Sequence, residues 1–119
     1  MLRKSKIASV FVLLMMFIGI VYADIESVLN FISINPNPVE KSTIITLSFL
    51  QKVNADVVIE SEDGIKIKTL FTGDLNSGIY EFFWNRLSDT GEFVPEGQYN
   101  LVVHFDTRYT STKKTIILK

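Results

Sequence analysis

The chain has 119 residues, 47% of them hydrophobic, with 12 basic against 13 acidic side chains, one histidine and no cysteine. That length holds one domain at most. The near-neutral charge excludes a broad basic field for nucleic acid, and the absence of cysteine excludes disulfides, thiolate-bound metals and lipid attachment through an N-terminal thiol.

The hydrophobic residues are concentrated at the front. Residues 1–6 (MLRKSK) carry Arg3, Lys4 and Lys6 without an acid, and residues 7–22 (IASVFVLLMMFIGIVY) carry no charge. A basic stretch, an apolar stretch and a closing Val21-Tyr22-Ala23 form the pattern of an N-terminal signal helix, residues 1–23, cleaved after Ala23. The competing reading is an uncleaved anchor, because a bilayer is crossed by roughly 17–25 apolar residues and this run falls just short. Its basic flank would then stay in the cytoplasm. Both readings export the remainder by the Sec route, to the periplasm, the cell surface or the outside. From Asp24 onward 9 Lys and Arg face 13 Asp and Glu, a net charge of −4, and no methionine remains. Residues 24–119 are expected to form a single, mildly acidic domain.

Within that domain the hydrophobic pattern has a period of two. Phe31 to Ile34 reads as a short first strand, ended by Asn35-Pro36-Asn37-Pro38, where Pro36 and Pro38 remove ladder donors and impose a turn or an edge crossing. Thr43 to Leu50 alternates Ile45, Leu47 and Phe49 with Thr46 and Ser48, as a half-buried strand does. Ala55 to Ser61 is rich in β-branched residues, and Ile65 to Phe71 sets Ile65 and Ile67 against Lys66 and Lys68. Glu62-Asp63-Gly64 between them is a hairpin signal, since Gly64 permits the positive φ that the turn needs.

Ile79 to Asn85 alternates Tyr80, Phe82 and Trp84 on one face with Ile79, Glu81 and Phe83 on the other, and Trp84 is the expected centre of the core. Gln98 to Phe105 directs Tyr99, Leu101, Val103 and Phe105 inward, leaving Asn100, Val102, His104 and Asp106 outward. Tyr99 follows Pro95-Glu96-Gly97, the place where sandwich domains use a tyrosine hydroxyl to tie a loop to the backbone. Lys113 to Leu118 forms the last strand, with Lys113 and Lys114 read as charges that guard an edge. About seven short antiparallel strands without an amphipathic helix predict an all-β, immunoglobulin-like or fibronectin III-like β-sandwich; a jelly roll or small barrel is the alternative.

At these residues the stretch from Asn35 to Phe105 resembles the FlgD/Vpr immunoglobulin-like family. An Asn-Pro turn and a Ser/Thr strand (NPNPVEKSTIITLSF) are followed by an Asp-Gly hairpin (VVIESEDGIKIKTL). Next come a glycine pair before a tryptophan strand (TGDLNSGIYEFFW) and a Pro-x-Gly-x-Tyr strand start (VPEGQYNLVV). Trp84, Gly91, Pro95, Gly97 and Tyr99 match in order and spacing. After the tryptophan the family usually carries Asp-Gly, where this chain has Asn85-Arg86. The family is named after a domain of the flagellar hook-capping protein and also occurs as a module of secreted bacterial proteins; the fold, not the hook-cap role, is what the resemblance implies. The closing STKKTIILK is also similar to the last strand of C-terminal sorting domains of type IX secretion.

Candidates for chemistry are few. His104 is expected on the surface, because a catalytic histidine needs a positioned acid or nucleophile and no motif supplies one. Glu60, Glu62 and Asp63 gather at a hairpin tip. Asp74-Leu75-Asn76-Ser77-Gly78 faintly echoes the start of a calcium loop, but the later ligands do not follow. Ser88-Asp89-Thr90-Gly91-Glu92 reads as a turn. The expectation is a non-catalytic module without cofactor or metal, binding protein partners by a sheet edge at Phe31–Ile34 or Lys113–Leu118. The alternative is a sorting or surface-attachment domain without its cargo.

Overall fold

The computed structural model describes residues 28–105 and 111–119; the leader read at residues 1–23, and Asp106, lie outside them. The described residues form seven strands: β1 (Leu29–Asn35), β2 (Thr43–Phe49), β3 (Val53–Ser61), β4 (Lys66–Leu75), β5 (Gly78–Trp84), β6 (Gly97–Phe105) and β7 (Ser111–Leu118). They are arranged in two antiparallel sheets, β1-β2-β5 and β4-β3-β6-β7. No helix occurs among the described residues.

The period-two pattern becomes one core. Ile45, Leu47 and Phe49 of β2 and Trp84 of β5 meet Ala55, Val57 and Ile59 of β3, Leu101 and Val103 of β6, and Ile116 and Leu118 of β7. Phe49 contacts Phe105 edge-on at 6.3 Å between ring centroids, and Phe71 contacts Phe82 at 6.0 Å, so aromatic rings join the two sheets. Trp84 is only 1% exposed and heads the largest buried side chains.

Three details depart from the sequence expectation. β4 runs to Leu75 instead of ending at Phe71, because β3 begins at Val53 and each of its first residues finds a partner, Val53 opposite Leu75 and Ala55 opposite Gly73. Asp74 therefore belongs to a strand, not to a loop. Alternation puts Ile65 on the apolar face with Ile67, but it is exposed, since it belongs to the hairpin turn: its N–H donates to Ser61 Oγ at 3.1 Å and its carbonyl accepts from Ser61 N at 2.9 Å. Gly64 takes φ +82° in that turn.

The third departure is Val102. Alternation directs it outward on β6, and it does lie outside the core, yet it is fully buried, and Val58 opposite it on β3 is buried as well. Glu60 and His104 flank this row on the same face and lean toward one another across it, with His104 Nε2 3.6 Å from Glu60 Oε2. Two long polar side chains thus shelter a small apolar row on the outer surface.

Candidate functional site

At one end of the molecule the loops are gathered by Arg86. Asn85 and Arg86 follow directly on Trp84 and turn the chain out of β5. Asn85 Oδ1 accepts from Leu87 N at 3.2 Å, and Arg86 adopts φ +67°, the left-handed conformation suited to glycine. Its side chain, 3% exposed, donates from Nε to Val94 O at 2.8 Å and from Nη1 to Glu40 O at 2.5 Å and Lys119 O at 2.6 Å. One guanidinium therefore joins the β1–β2 loop, the β5–β6 loop and the residue after β7. Phe93 covers it, with the guanidinium carbon 4.5 Å from the ring centroid. An open depression beside it is lined by Glu40, Lys41, Glu96 and Lys119.

The other sequence-selected positions surround this end. Trp84 Nε1 donates to Leu87 O at 2.9 Å, and Tyr99 OH donates to Pro95 O at 2.8 Å. Thr43 Oγ1 donates to Pro36 O at 2.8 Å, fixing the turn in which the Asn35–Pro36 and Asn37–Pro38 bonds are both cis. Gly91 (φ +82°) closes the turn opened by Ser88, whose carbonyl accepts from Gly91 N at 3.0 Å, and Gly97 (φ +151°) starts β6. These residues hold loops and strand ends, and Gly64 lies in the hairpin turn between β3 and β4.

The acidic residues weighed for chemistry are distributed rather than convergent. Asp74 Oδ1 accepts from Asn54 Nδ2 at 2.9 Å across the β3–β4 ladder. Asp89 does more than shape a turn: its carboxylate accepts from Thr69 N at 3.1 Å, its own N–H donates to Ile67 O at 3.0 Å, and Lys68 Nζ lies 3.7 Å away. The outer edge of β4 is thereby covered at Ile67–Thr69. No group of three metal-ligating side chains converges among the described residues.

Of the two edges expected to receive a partner, β7 is bonded at Thr115 and Ile117, and β1 accepts a bond at Ile32. Asn37 brackets β7, donating from Nδ2 to Thr115 O at 3.0 Å and accepting at Oδ1 from Ile117 N at 2.9 Å. Val39 continues the cover, donating to Ile117 O at 2.7 Å and accepting from Lys119 N at 2.9 Å. Lys114 lies opposite Leu101, on the core side of its sheet, and its Nζ donates to Ile32 O of β1 at 2.9 Å. It bridges the two sheets where an edge-guarding charge is expected. Ile116 and Leu118 are core residues, so the Lys113–Leu118 strand cannot act as a detachable docking element.

What remains open is the outer face of the β1-β2-β5 sheet. Ile44 lies directly opposite Phe83, and Ser48 stands between Phe31 and Ile79, so four large apolar side chains share this face. Phe31, Ile44, Ile79 and Phe83 are 41, 44, 66 and 67% exposed. Grouped exposure of this kind marks interaction surfaces more often than scattered single residues do. Glu81 lies between Ile79 and Phe83 along β5, opposite Thr46.

No family model matches the chain. Over 45 residues, 38% of its length, it is 36% identical to the basal-body rod modification protein FlgD of Salmonella typhimurium, and to that of Salmonella typhi. The chain spans only 19% of the length of those relatives. Among solved structures it is similar to dimeric latent PorU from Porphyromonas gingivalis, with a TM-score of 0.57 at 18% identity, covering 73% of this chain and 9% of PorU. It also aligns with PorZ, a surface component of the type IX secretion system of the same organism, at a TM-score of 0.47 and 22% identity, over 74% of this chain and 11% of PorZ. The likeness to PorU is one of fold.

Proposed function

We propose that this chain is an exported, non-catalytic immunoglobulin-like β-sandwich that works through its surface in extracytoplasmic protein assembly or adhesion. The observation that carries the reading is the outer face of the β1-β2-β5 sheet, where Phe31, Ile44, Ile79 and Phe83 are exposed together. The sequence likeness to FlgD and the fold likeness to PorU support a module of extracytoplasmic proteins, and the basic-apolar leader at residues 1–23 supports export of residues 24–119. Its partners are then proteins of the envelope or the exterior.

The test is affinity capture from the native envelope fraction with the wild-type chain and with an Ile79→Ser/Phe83→Ser double variant. A partner retained by the wild type and lost by the variant supports the reading; retention of nothing by either refutes it. N-terminal sequencing of the exported product is expected to begin at Asp24. A second reading, a sorting or surface-attachment domain that accompanies a larger cargo, is favoured by the small fraction of PorU that the fold covers. A cargo encoded in the adjacent reading frame would support it, and an isolated gene would count against it.

A further inference from the structure

Two sheets of three and four strands present four edges, and the hydrogen bonds treat them unequally. β7 is bracketed by Asn37 and Val39, β1 is engaged at Ile32 by Lys114, and β4 is covered at Ile67–Thr69 by Asp89. β5 differs. It pairs with β2 from Gly78 to Trp84 without a register break, and among the described residues no backbone or side-chain group bonds to the main chain on its other side. Every second residue of such a strand turns its N–H and C=O away from its neighbour, so β5 presents a regular row of unused donors and acceptors. The strand carries no proline, lysine or bulge, and Glu81 is its one charged residue.

The side chains of this edge select what can join it. On the outer face Ile79 and Phe83 flank Glu81, and Glu81 has no ion-pair partner among the described residues. A second copy pairing antiparallel about a twofold axis centred on this strand sets Glu81 against Glu81, and like charges directly opposite one another are destabilising. Sliding the two copies by one same-face step sets Glu81 against Ile79 or Phe83 instead. Both registers are poor. A strand that is apolar at alternate positions, with a lysine or arginine opposite Glu81, satisfies all three side chains at once, and the net charge of −4 from Asp24 onward acts in the same direction.

We propose that the β5 edge receives an extended segment of a partner protein, added as a fourth strand to the β1-β2-β5 sheet, with a basic residue opposite Glu81 and apolar residues two positions to either side. This rests on the interaction-module reading and names its contact mode. Main-chain bonds supply the affinity of such an added strand, and alternate side chains supply its specificity.

The experiment uses the full chain, isotopically labelled, titrated with synthetic peptides of about nine residues, the length of a typical strand. One peptide alternates valine and threonine around a central lysine, a second carries glutamate at the centre, and a third is the lysine peptide N-methylated at alternate amides. The lysine peptide is expected to bind roughly tenfold more tightly than the glutamate peptide and to shift the amides of Gly78–Trp84 most. Glu81→Lys, an exposed substitution, reverses that order, and N-methylation abolishes binding. Equal binding of the first two peptides, an unchanged order in Glu81→Lys, shifts confined to β1 or β7, or dimerisation of the free chain through β5 would each overturn the proposal. A partner captured from the envelope equally by wild type and Glu81→Lys would overturn the edge assignment while leaving the module reading in place.

Discussion

Arg86 shows how one residue can serve backbone geometry and loop closure together. Its φ of +67° places a side chain where glycine is the natural occupant, a choice that costs roughly 1–2 kcal/mol for a residue with a Cβ. The return is a buried guanidinium that satisfies three carbonyls from three separate segments. Arg86→Ala keeps the backbone cost and discards the bonds, so a loss of about 3 kcal/mol in stability is expected. Arg86→Gly discards the bonds but relieves φ, and should be the milder of the two by about 1 kcal/mol. Urea denaturation of both variants measures the difference; equal losses would show that φ at this position carries no cost. Trp84 and Tyr99 are visible in the sequence because size, alternation and a Pro-x-Gly-x-Tyr spacing mark them. Arg86 is not, because an Asn-Arg pair has no local signature, and its three acceptors are contributed by positions far apart in the chain. The one available signal is the departure from Asp-Gly, which names the position and leaves its role unread.

At the scale of strands, alternation locates the elements, and hydrogen bonds from remote side chains decide which edges are open. The seven strands are legible because Ile45-Leu47-Phe49, Tyr80-Phe82-Trp84 and Tyr99-Leu101-Val103 each repeat with a period of two. Strand ends are less so: β4 outlasts its apolar run through Gly73 and Asp74 because β3 supplies partners for them. Asn37 and Asp89 read as turn residues, and they are, but each also reaches a strand 78 or 20 residues away, which no local pattern encodes. Asn37→Ala removes two bonds to β7 and should cost about 1–2 kcal/mol. Faster exchange of the Ile117 amide is the accompanying change, and unaltered exchange would show that Val39 alone closes this edge. Deleting residues 113–119 goes further, since it removes Ile116, Leu118 and the carbonyl of Lys119 that Arg86 holds. The truncated chain is expected to lose its far-UV strand signal and to be digested by trypsin throughout. A truncated chain with an intact core would mean that β7 is dispensable.

For the whole molecule, the decisive property is that one core draws on both sheets without a covalent staple. Each of the seven strands contributes at least one buried apolar residue to it, from Ile34 of β1 to Leu118 of β7, and no cysteine is available to hold a partly opened form together. Neither sheet has a second apolar layer able to stand in for the core once the sheets part, because the outer faces carry Phe31, Ile44, Ile79 and Phe83 exposed on one side and only the Val58–Val102 row sheltered on the other. Opening the sheets would expose the core faces of both, so a state with one sheet intact has little to stabilise it. Unfolding should therefore be a single transition. The single tryptophan makes this measurable: Trp84 is buried in the core and its indole N–H is held by Leu87, so its fluorescence reports the packing between sheets while far-UV circular dichroism reports the strands themselves. The two signals are expected to give the same urea midpoint, with or without reductant. A tryptophan midpoint clearly below the dichroism midpoint would mean that the sheets separate before they unfold, and that the core binds the molecule less tightly than the packing of Trp84, Phe49 and Leu101 requires.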